Sequence, residues 1–254
     1  MSHAEDTGGT PPARGYLDKN EGAGTLYGVG LGPGAPDLMT LRAARLIGAA
    51  TVVAYPALAG AASLARSIAA DLIAPGTREI VIDVPMTPER APAQAAYDAG
   101  AVAIAAELAQ GRDVVCLCEG DPFFYGSFMY LFARLSPRFV VKVVPGVTSV
   151  SAAAAGAGIP LVARDERLEV LPGTLPDAVL AERIGAADSV AILKLGRHLP
   201  RIRAVVAGLG LTGKATYVER VTLAGQVILP LADAPAVAPY FSMILIARGA
   251  DPWL

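Results

Sequence analysis

The sequence of 254 residues has few of the side chains that hold metals or cross-link small secreted domains. It contains two cysteines, Cys116 and Cys118, and two histidines, His3 and His198. Two cysteines cannot form a disulfide framework or a structural zinc site, and two histidines exclude a histidine-rich metal centre. We therefore predict no metal site and expect no catalysis by histidine. Free cysteines fit a cytoplasmic protein.

Excess charge of either sign is also lacking, since 21 Lys and Arg stand against 23 Asp and Glu. Proteins that bind nucleic acid usually carry a basic surface, so no nucleic-acid partner is expected. Two uncharged windows, 46–65 and 143–163, reach the length of a membrane-spanning helix. Glycine and proline interrupt both windows, which favours a buried strand followed by a helix. No membrane partner is predicted.

Strand-like and helix-like segments alternate along the first part of the chain. Its strand-like runs begin at Leu26, Thr51, Glu79, Asp113 and Phe139. Such alternation predicts a mostly parallel α/β sheet. From about residue 160 the strand-like segments follow one another more closely, which favours a mixed sheet. We therefore expect an α/β protein with domains at 25–145 and 146–254, after a disordered tail at 1–24.

A glycine loop follows the first predicted strand at residues 28–34 (GVGLGPG). It has neither a G-x-G-x-x-G frame nor a following Lys-Ser/Thr pair, and no acid ends the second strand. A nicotinamide-dependent reductase is therefore disfavoured. Two interpretations remain: a tight turn that uses the conformational freedom of glycine, and a turn whose backbone approaches a ligand closely.

A second motif, residues 116–127 (CLCEGDPFFYGS), begins where a buried strand ends. Ligands of open α/β sheets bind at that edge. Gly120 allows the backbone to come close to a ligand. Asp121 either contacts the ligand or caps a helix predicted at 121–135, with Pro122 at its first position.

Three further strands end in small, polar or charged residues. In the segment 144–151 (VPGVTSVS), Thr148 and Ser149 either cap a helix or offer hydroxyl groups to a ligand. The other two strand ends are Lys194-Leu195 and Glu219-Arg220. A charge at the end of a strand is usually solvated, but together these ends describe one edge lined with ligand-binding groups.

Taken together, the motifs resemble those of the tetrapyrrole methylase family, over about residues 25–250. The matching segments are 28–34 with Leu38-Met39-Thr40, Glu119-Gly120-Asp121-Pro122 with Tyr125-Gly126, and 144–149. The Glu-Gly-Asp-Pro variant and residues 168–174 (LEVLPGT) are most similar to the branch that methylates C20 of precorrin-2. The resemblance implies two α/β domains with a ligand cleft between them, a homodimer, and S-adenosylmethionine as cofactor.

The implied reaction is methyl transfer to C20 of precorrin-2, which gives precorrin-3A in cobalamin biosynthesis. The alternatives are the cobalt-containing substrate of the anaerobic route, another tetrapyrrole methylase activity, and a catalytically inactive binding module. By motif match, the cofactor-binding residues are Pro33, Glu119, Gly120, Asp121, Phe124, Thr148, Ser149, Lys194, Leu195, Glu219 and Arg220. The candidates for binding the tetrapyrrole are Gly32, Gly34, Arg42, Arg90 and Arg164, although each arginine has a solvated surface role as an alternative.

One position departs from the family. An acid usually follows the Gly-Pro-Gly of the first motif, and in the uroporphyrinogen branch it is a proposed proton acceptor. Here Ala35 stands at that position, and Asp37 is the nearest acid. We expect Asp37 to complement the positive end of the following helix rather than to replace the missing base. No catalytic residue is assigned.

Overall fold

The computed structural model describes residues 22–58, 60–85 and 89–249. Residues 1–21 of the predicted disordered tail lie outside the described residues. Two five-stranded sheets form the described part of the chain. No helix within those ranges is both long and apolar enough to cross a membrane.

The N-terminal sheet is parallel throughout, with the strand order β3-β2-β4-β1-β5. Its strands are β1 (Thr25–Gly30), β2 (Val52–Leu58), β3 (Arg78–Val84), β4 (Val114–Cys118) and β5 (Val140–Val144). The helices around it are α1 (Leu41–Gly48), α2 (Leu64–Ile68), α3 (Arg90–Leu108) and α4 (Phe128–Leu135). All five residues of β4 are buried, because helices cover both faces of the sheet.

The C-terminal sheet is mixed, with the order β6-β7-β10-β8-β9. Its strands are β6 (Leu168–Pro172), β7 (Ser189–Leu193), β8 (Ala215–Glu219), β9 (Val227–Pro230) and β10 (Ser242–Ala247). The helices are α5 (Ser149–Ala157), α6 (Asp177–Ala186) and α7 (Leu199–Gly208). Only β6 and β7 pair in parallel, and the other neighbours are antiparallel. The predicted α/β class, with one parallel and one mixed sheet, is confirmed.

Local sequence explains where several helices begin. Thr40, Ser63 and Thr148 each accept a hydrogen bond from the backbone N–H three residues later, and so cap α1, α2 and α5. Helix α5 packs on the C-terminal sheet, where its Val150 and Ala153 contact the core of that half. The expected domain boundary between residues 145 and 146 stays a prediction.

One predicted helix start and one expected contact with a helix end are wrong. The helix expected from residue 121 begins at Phe128, because the Asp121 carboxylate binds the N–H groups of Phe123 and Phe124 and closes a turn instead. Tyr125 then has a φ of 57°, which no α-helix accommodates. Asp37 lies in a separate 3₁₀ turn, Pro36–Leu38, while α1 begins later, after Thr40. Asp37 is therefore outside the first turn of α1.

Candidate active site

A cavity of about 240 Å³ lies between the two sheets, at the carboxyl ends of β4, β7 and β8. Residues of both halves line it, from Pro33 and Glu119 on one side to Lys194 and Arg220 on the other. Crevices at the carboxyl ends of strands are the usual ligand sites of α/β sheets.

Three turns of the N-terminal sheet meet at the cavity through backbone contacts. The Gly120 N–H donates to the Gly32 carbonyl at 2.7 Å, and the Gly32 N–H donates back to Gly120 at 3.2 Å. A Cβ on Gly146 would lie 2.1 Å from the Gly120 oxygen, and one on Gly30 would lie 2.6 Å from the Gly146 nitrogen. Gly30 and Gly146 are therefore required because the three turns pack against one another.

Gly120 differs from these two glycines. It has a φ of 62°, and a Cβ added there would meet no atom within 4 Å. The residue needs glycine for its left-handed backbone, and the space beside it is open to the cavity. A ligand can approach the main chain at this point.

Asp121 holds the second and third motifs together. One carboxylate oxygen accepts the N–H groups of Phe123 at 2.9 Å and Phe124 at 3.1 Å. The other accepts the N–H of Gly146 at 3.0 Å. Both oxygens are therefore engaged by the protein, so Asp121 shapes the cavity wall.

Glu119 ends in the cavity directly after β4, and its carboxylate accepts a hydrogen bond from the Ala65 backbone. The side chain is exposed to the cavity, and the protein around the cavity desolvates the carboxyl in part, which raises its pKa. Tyr240 lines the cavity from the loop before β10. Most of the Tyr240 side chain is exposed, but local desolvation and, next, the charge of Glu119 raise the pKa of its hydroxyl.

On the C-terminal side of the cavity, two residues with cationic side chains have a left-handed backbone conformation. Lys194 and Arg220 have φ values of 58° and 48°, and both line the cavity. Non-glycine residues in this conformation are uncommon and cluster at functional sites. The Lys194 ammonium lies 5.2 Å from the centre of the Tyr125 ring, within the range of a cation–π contact. Arg220 pairs with Glu219 at 2.9 Å.

Direct contacts join the two halves on either side of the cavity. On one side, the Tyr125 hydroxyl donates to the Val170 carbonyl at 3.3 Å. On the other, the Ala35 N–H donates to Thr222 Oγ1 at 3.1 Å. These contacts fix the distance between the two strand edges.

Nine of the eleven residues proposed to bind the cofactor line this cavity: Pro33, Glu119, Gly120, Asp121, Phe124, Thr148, Ser149, Lys194 and Arg220. The side chain of Leu195 does not, because it is fully buried in the core of the C-terminal half. Glu219 turns away to accept the Tyr217 hydroxyl at 2.8 Å.

None of the five residues proposed for the tetrapyrrole belongs to the wall of the cavity. Gly32 belongs to the packed turns, and Gly34 packs against Leu223. The three arginines are exposed on α1, at the start of α3 and before β6: Arg42, Arg90 and Arg164. Their roles stay predictions.

Several wall residues were not among those proposed to bind a ligand. Cys116 and Cys118, at the start of the second motif, are buried in β4 and line the cavity with Tyr97. Their alternate spacing on β4 places them on one face of the sheet and was the available clue. Tyr240 and Phe241 come from a loop without a recognisable pattern. They reach the cavity because β10 lies at the centre of its sheet.

The sequence matches known proteins over most of its length. The sequence model of the Tetrapyrrole (Corrin/Porphyrin) Methylases matches residues 25–235. A cobalamin biosynthesis protein CobIJ of Mycobacterium tuberculosis is 47% identical over 236 residues, which are 89% of this chain and 46% of that protein. The chain thus spans about half the length of the curated relatives of that name.

Two shorter relatives match from end to end. The precorrin-2 C(20)-methyltransferase of Sinorhizobium sp is 43% identical, over 91% of this chain and 98% of its own length. The cobalt-precorrin-2 C(20)-methyltransferase of Salmonella typhimurium is 34% identical, over 89% of this chain and 97% of its own length.

Two solved structures share the fold. A cobalt precorrin-4 methyltransferase, CbiF, has a TM-score of 0.69 at 24% identity, over 90% of this chain and 96% of its own. The uroporphyrin-III C-methyl transferase of Thermus thermophilus, complexed with S-adenyl homocysteine, has a TM-score of 0.64 at 25% identity, over 89% of this chain and 92% of its own.

Proposed function

This chain belongs to the Tetrapyrrole (Corrin/Porphyrin) Methylases, and from this premise we propose that it transfers a methyl group from S-adenosylmethionine to C20 of precorrin-2. The product is precorrin-3A, an intermediate of cobalamin biosynthesis. One observation carries the proposal: turns from the first three motifs and the strand ends of both sheets meet in a single cavity. The end-to-end match to the Sinorhizobium enzyme supports the choice of substrate.

The wall of the cavity fits the cofactor. Gly120 leaves open space beside its backbone, where the amino-acid part of the ligand can approach closely. Thr148 and Ser149 lie in the wall and can offer hydrogen bonds, and Phe124 and Phe241 supply apolar surface. The bound cofactor supplies an electrophilic methyl group. The protein therefore has to orient donor and acceptor and to exclude water, and it needs no nucleophile of its own.

The substrate carries several carboxylates, and the C-terminal side of the cavity presents a cation for them. Lys194 forms no salt bridge within the described part of the chain. Its ammonium is held only by the Tyr125 ring among the contacts seen there. A carboxylate of the tetrapyrrole can therefore take this position at the mouth of the cavity. Arg42, Arg90 and Arg164 remain proposed contacts for the outer carboxylates.

The cobalt-containing substrate is the second candidate. It is supported by the Salmonella relative, at 34% identity compared with 43% for the Sinorhizobium enzyme. The difference favours the metal-free substrate. Competition between the two tetrapyrroles, measured as the ratio of kcat/KM under anaerobic conditions, distinguishes the candidates.

The test of the main proposal is mass spectrometry of precorrin-2 after anaerobic incubation with S-adenosylmethionine and the protein. We expect the gain of one methyl group, and NMR of the product should place it on C20. Calorimetry should show binding of S-adenosylmethionine and no binding of NADPH. The absence of a methylated product with both forms of the substrate would reject the proposal.

We further propose a cytoplasmic homodimer. The free cysteines Cys116 and Cys118 fit a reducing compartment. Large apolar side chains are exposed on the surface, among them Leu41, Val102 and Val237. Twofold pairing is the commonest way to cover such surface. Light scattering tests the dimer, and cell fractionation tests the location.

A further inference from the structure

Among the described residues, two carboxylates line the cavity, and they differ in how many hydrogen bonds they accept from the protein. Asp121 accepts three backbone N–H groups, which occupy both of its oxygens. Glu119 accepts one, from Ala65, so most of its hydrogen-bonding capacity faces the cavity. Glu119 is therefore the acid of the wall that remains available to a ligand.

No cation is committed to Glu119 in the part of the chain that the structure describes. Of the charged groups that share the cavity, Lys194 stacks on Tyr125 and Arg220 pairs with Glu219. The remaining titratable groups lining the cavity are Asp121, Cys116, Cys118, Tyr97, Tyr125 and Tyr240, and none of them is positively charged. On the adjacent helix α2, Arg66 turns to Glu79 at 3.0 Å.

Glu119 is exposed to the cavity, and no cation of the described residues neutralises its carboxylate. A ligand that brings positive charge to this position would supply the missing partner. Desolvation by the protein around the cavity, which raises the pKa of Glu119, strengthens the attraction between such a ligand and the ionised carboxylate. The cavity therefore suits a ligand that places a positive charge near the end of β4.

We propose that Glu119 is the counter-charge by which the site selects S-adenosylmethionine, a sulfonium cation, over S-adenosylhomocysteine, its neutral thioether product. The inference rests on the proposed function. Before methyl transfer, the carboxylate and the sulfonium neutralise each other. After transfer, the sulfur has no charge, and the carboxylate has lost its partner. Product release is favoured by the same group that favours binding of the cofactor.

The proposal predicts a link between pH and affinity. Because desolvation raises the pKa of free Glu119, this carboxyl takes up a proton at a higher pH than an ordinary glutamate does. The sulfonium requires the ionised form, so its affinity should rise with pH up to that pKa and then level off, and binding should release a proton. The thioether should show neither effect.

The test is titration calorimetry of the full chain with S-adenosylmethionine and with S-adenosylhomocysteine, in buffers of different ionisation enthalpy. In Glu119→Gln, we expect the affinity for the sulfonium to fall at least about tenfold, while the affinity for the thioether stays unchanged. Proton release should disappear. Sinefungin, which carries an amine in place of the sulfonium methyl group, should behave like the cofactor. Glu182→Gln, an exposed acid on α6, is the control for net charge.

Equal loss for sulfonium and thioether would overturn the inference, because Glu119 would then bind a part common to both ligands. Unchanged affinity for both would overturn it as well. If Glu119→Gln does not fold, the pH dependence of ligand affinity in the wild-type protein still tests the proposal. The same pH dependence for the sulfonium and the thioether would contradict it. If the wild-type protein binds neither ligand, the proposed function itself fails, and this inference falls with it.

Discussion

The N-terminal sheet brings its turns to the cavity through backbone contacts, whereas the C-terminal sheet reaches the cavity with side chains. On the N-terminal edge, Gly30, Gly120 and Gly146 pack main chain on main chain, and Asp121 ties them together. On the C-terminal edge, Lys194 and Arg220 have left-handed backbone and carry long cationic side chains. The first edge is a rigid wall, and the second is an array of charged groups on strained turns.

The difference shows how one cavity can combine two kinds of recognition. Close backbone packing leaves no room for side chains between the turns but leaves open space beside Gly120. A ligand that fits this space is recognised by its shape. Cations on exposed turns suit carboxylates, whose positions vary around a large ring. The following variants change one edge at a time and are arranged from the largest expected effect to the smallest.

Gly146→Ala should be the most damaging change. Its Cβ would lie 2.1 Å from the Gly120 oxygen, and the neighbouring backbone cannot move without opening the three turns. We expect a loss of about 3 kcal/mol or more in unfolding free energy, and a melting temperature lower by about 6–12 °C. Binding of S-adenosylmethionine should be lost. Gly185→Ala in α6, where a Cβ meets nothing within 4 Å, is the control and should stabilise the protein slightly. Similar melting temperatures of the two variants would contradict the interpretation of this edge as a rigid wall.

Asp121→Asn should be next. The amide has one acceptor oxygen instead of two, so either the turn at Phe123 or the link to Gly146 is lost. We expect destabilisation of about 2 kcal/mol in urea unfolding, as is typical of hydrogen bonds to a charged group. Asp98→Asn removes the exposed pair with Arg134 and should cost about 0–1 kcal/mol. A cost for Asp121→Asn no greater than that of this control would show that the link between the motifs is dispensable.

At Lys194, we expect the left-handed backbone to lower the stability of the protein and the cationic side chain to favour substrate binding. Lys194→Gly relieves the left-handed conformation and should raise stability by about 1 kcal/mol. It removes the cation at the same time, so KM for the tetrapyrrole should rise about tenfold. Lys194→Met should raise KM equally without the gain in stability. Lys142→Met, which removes a cation stacked on Tyr27 away from the cavity, should leave KM unchanged. An unchanged KM in both Lys194 variants would remove this residue from substrate binding.

The smallest effect is expected at Asp37. Its carboxylate lies in the exposed 3₁₀ turn before α1 and does not line the cavity. Asp37→Asn should therefore keep kcat within about tenfold of wild type, far from the roughly 10²–10⁴ lost with a general base. A loss of about a thousandfold, with the fold intact by circular dichroism, would make Asp37 the displaced proton acceptor.

Most elements could be predicted because their signals are local. Apolar runs such as residues 114–118 and glycine-ended turns depend only on neighbouring residues. The start of α4 could not be found in this way. Asp121-Pro122 has the composition of a helix start, but the carboxylate binds Gly146, which is 25 residues away along the chain. The side chain of Leu195 lies in the core of the C-terminal half and not in the cavity wall, a difference that motif matching does not detect.

The sequence by itself determined the strands, the chemistry at their ends and the family motifs, since each is written in a short stretch of residues. The tertiary structure alone decided which of these ends share a cavity. Tyr240 lines the same cavity as Glu119 because β10 lies between β7 and β8, and Ala35 bonds to Thr222 because the cavity edges of the two halves meet. Strand order and sheet packing join residues far apart in the chain, and no local pattern encodes that pairing.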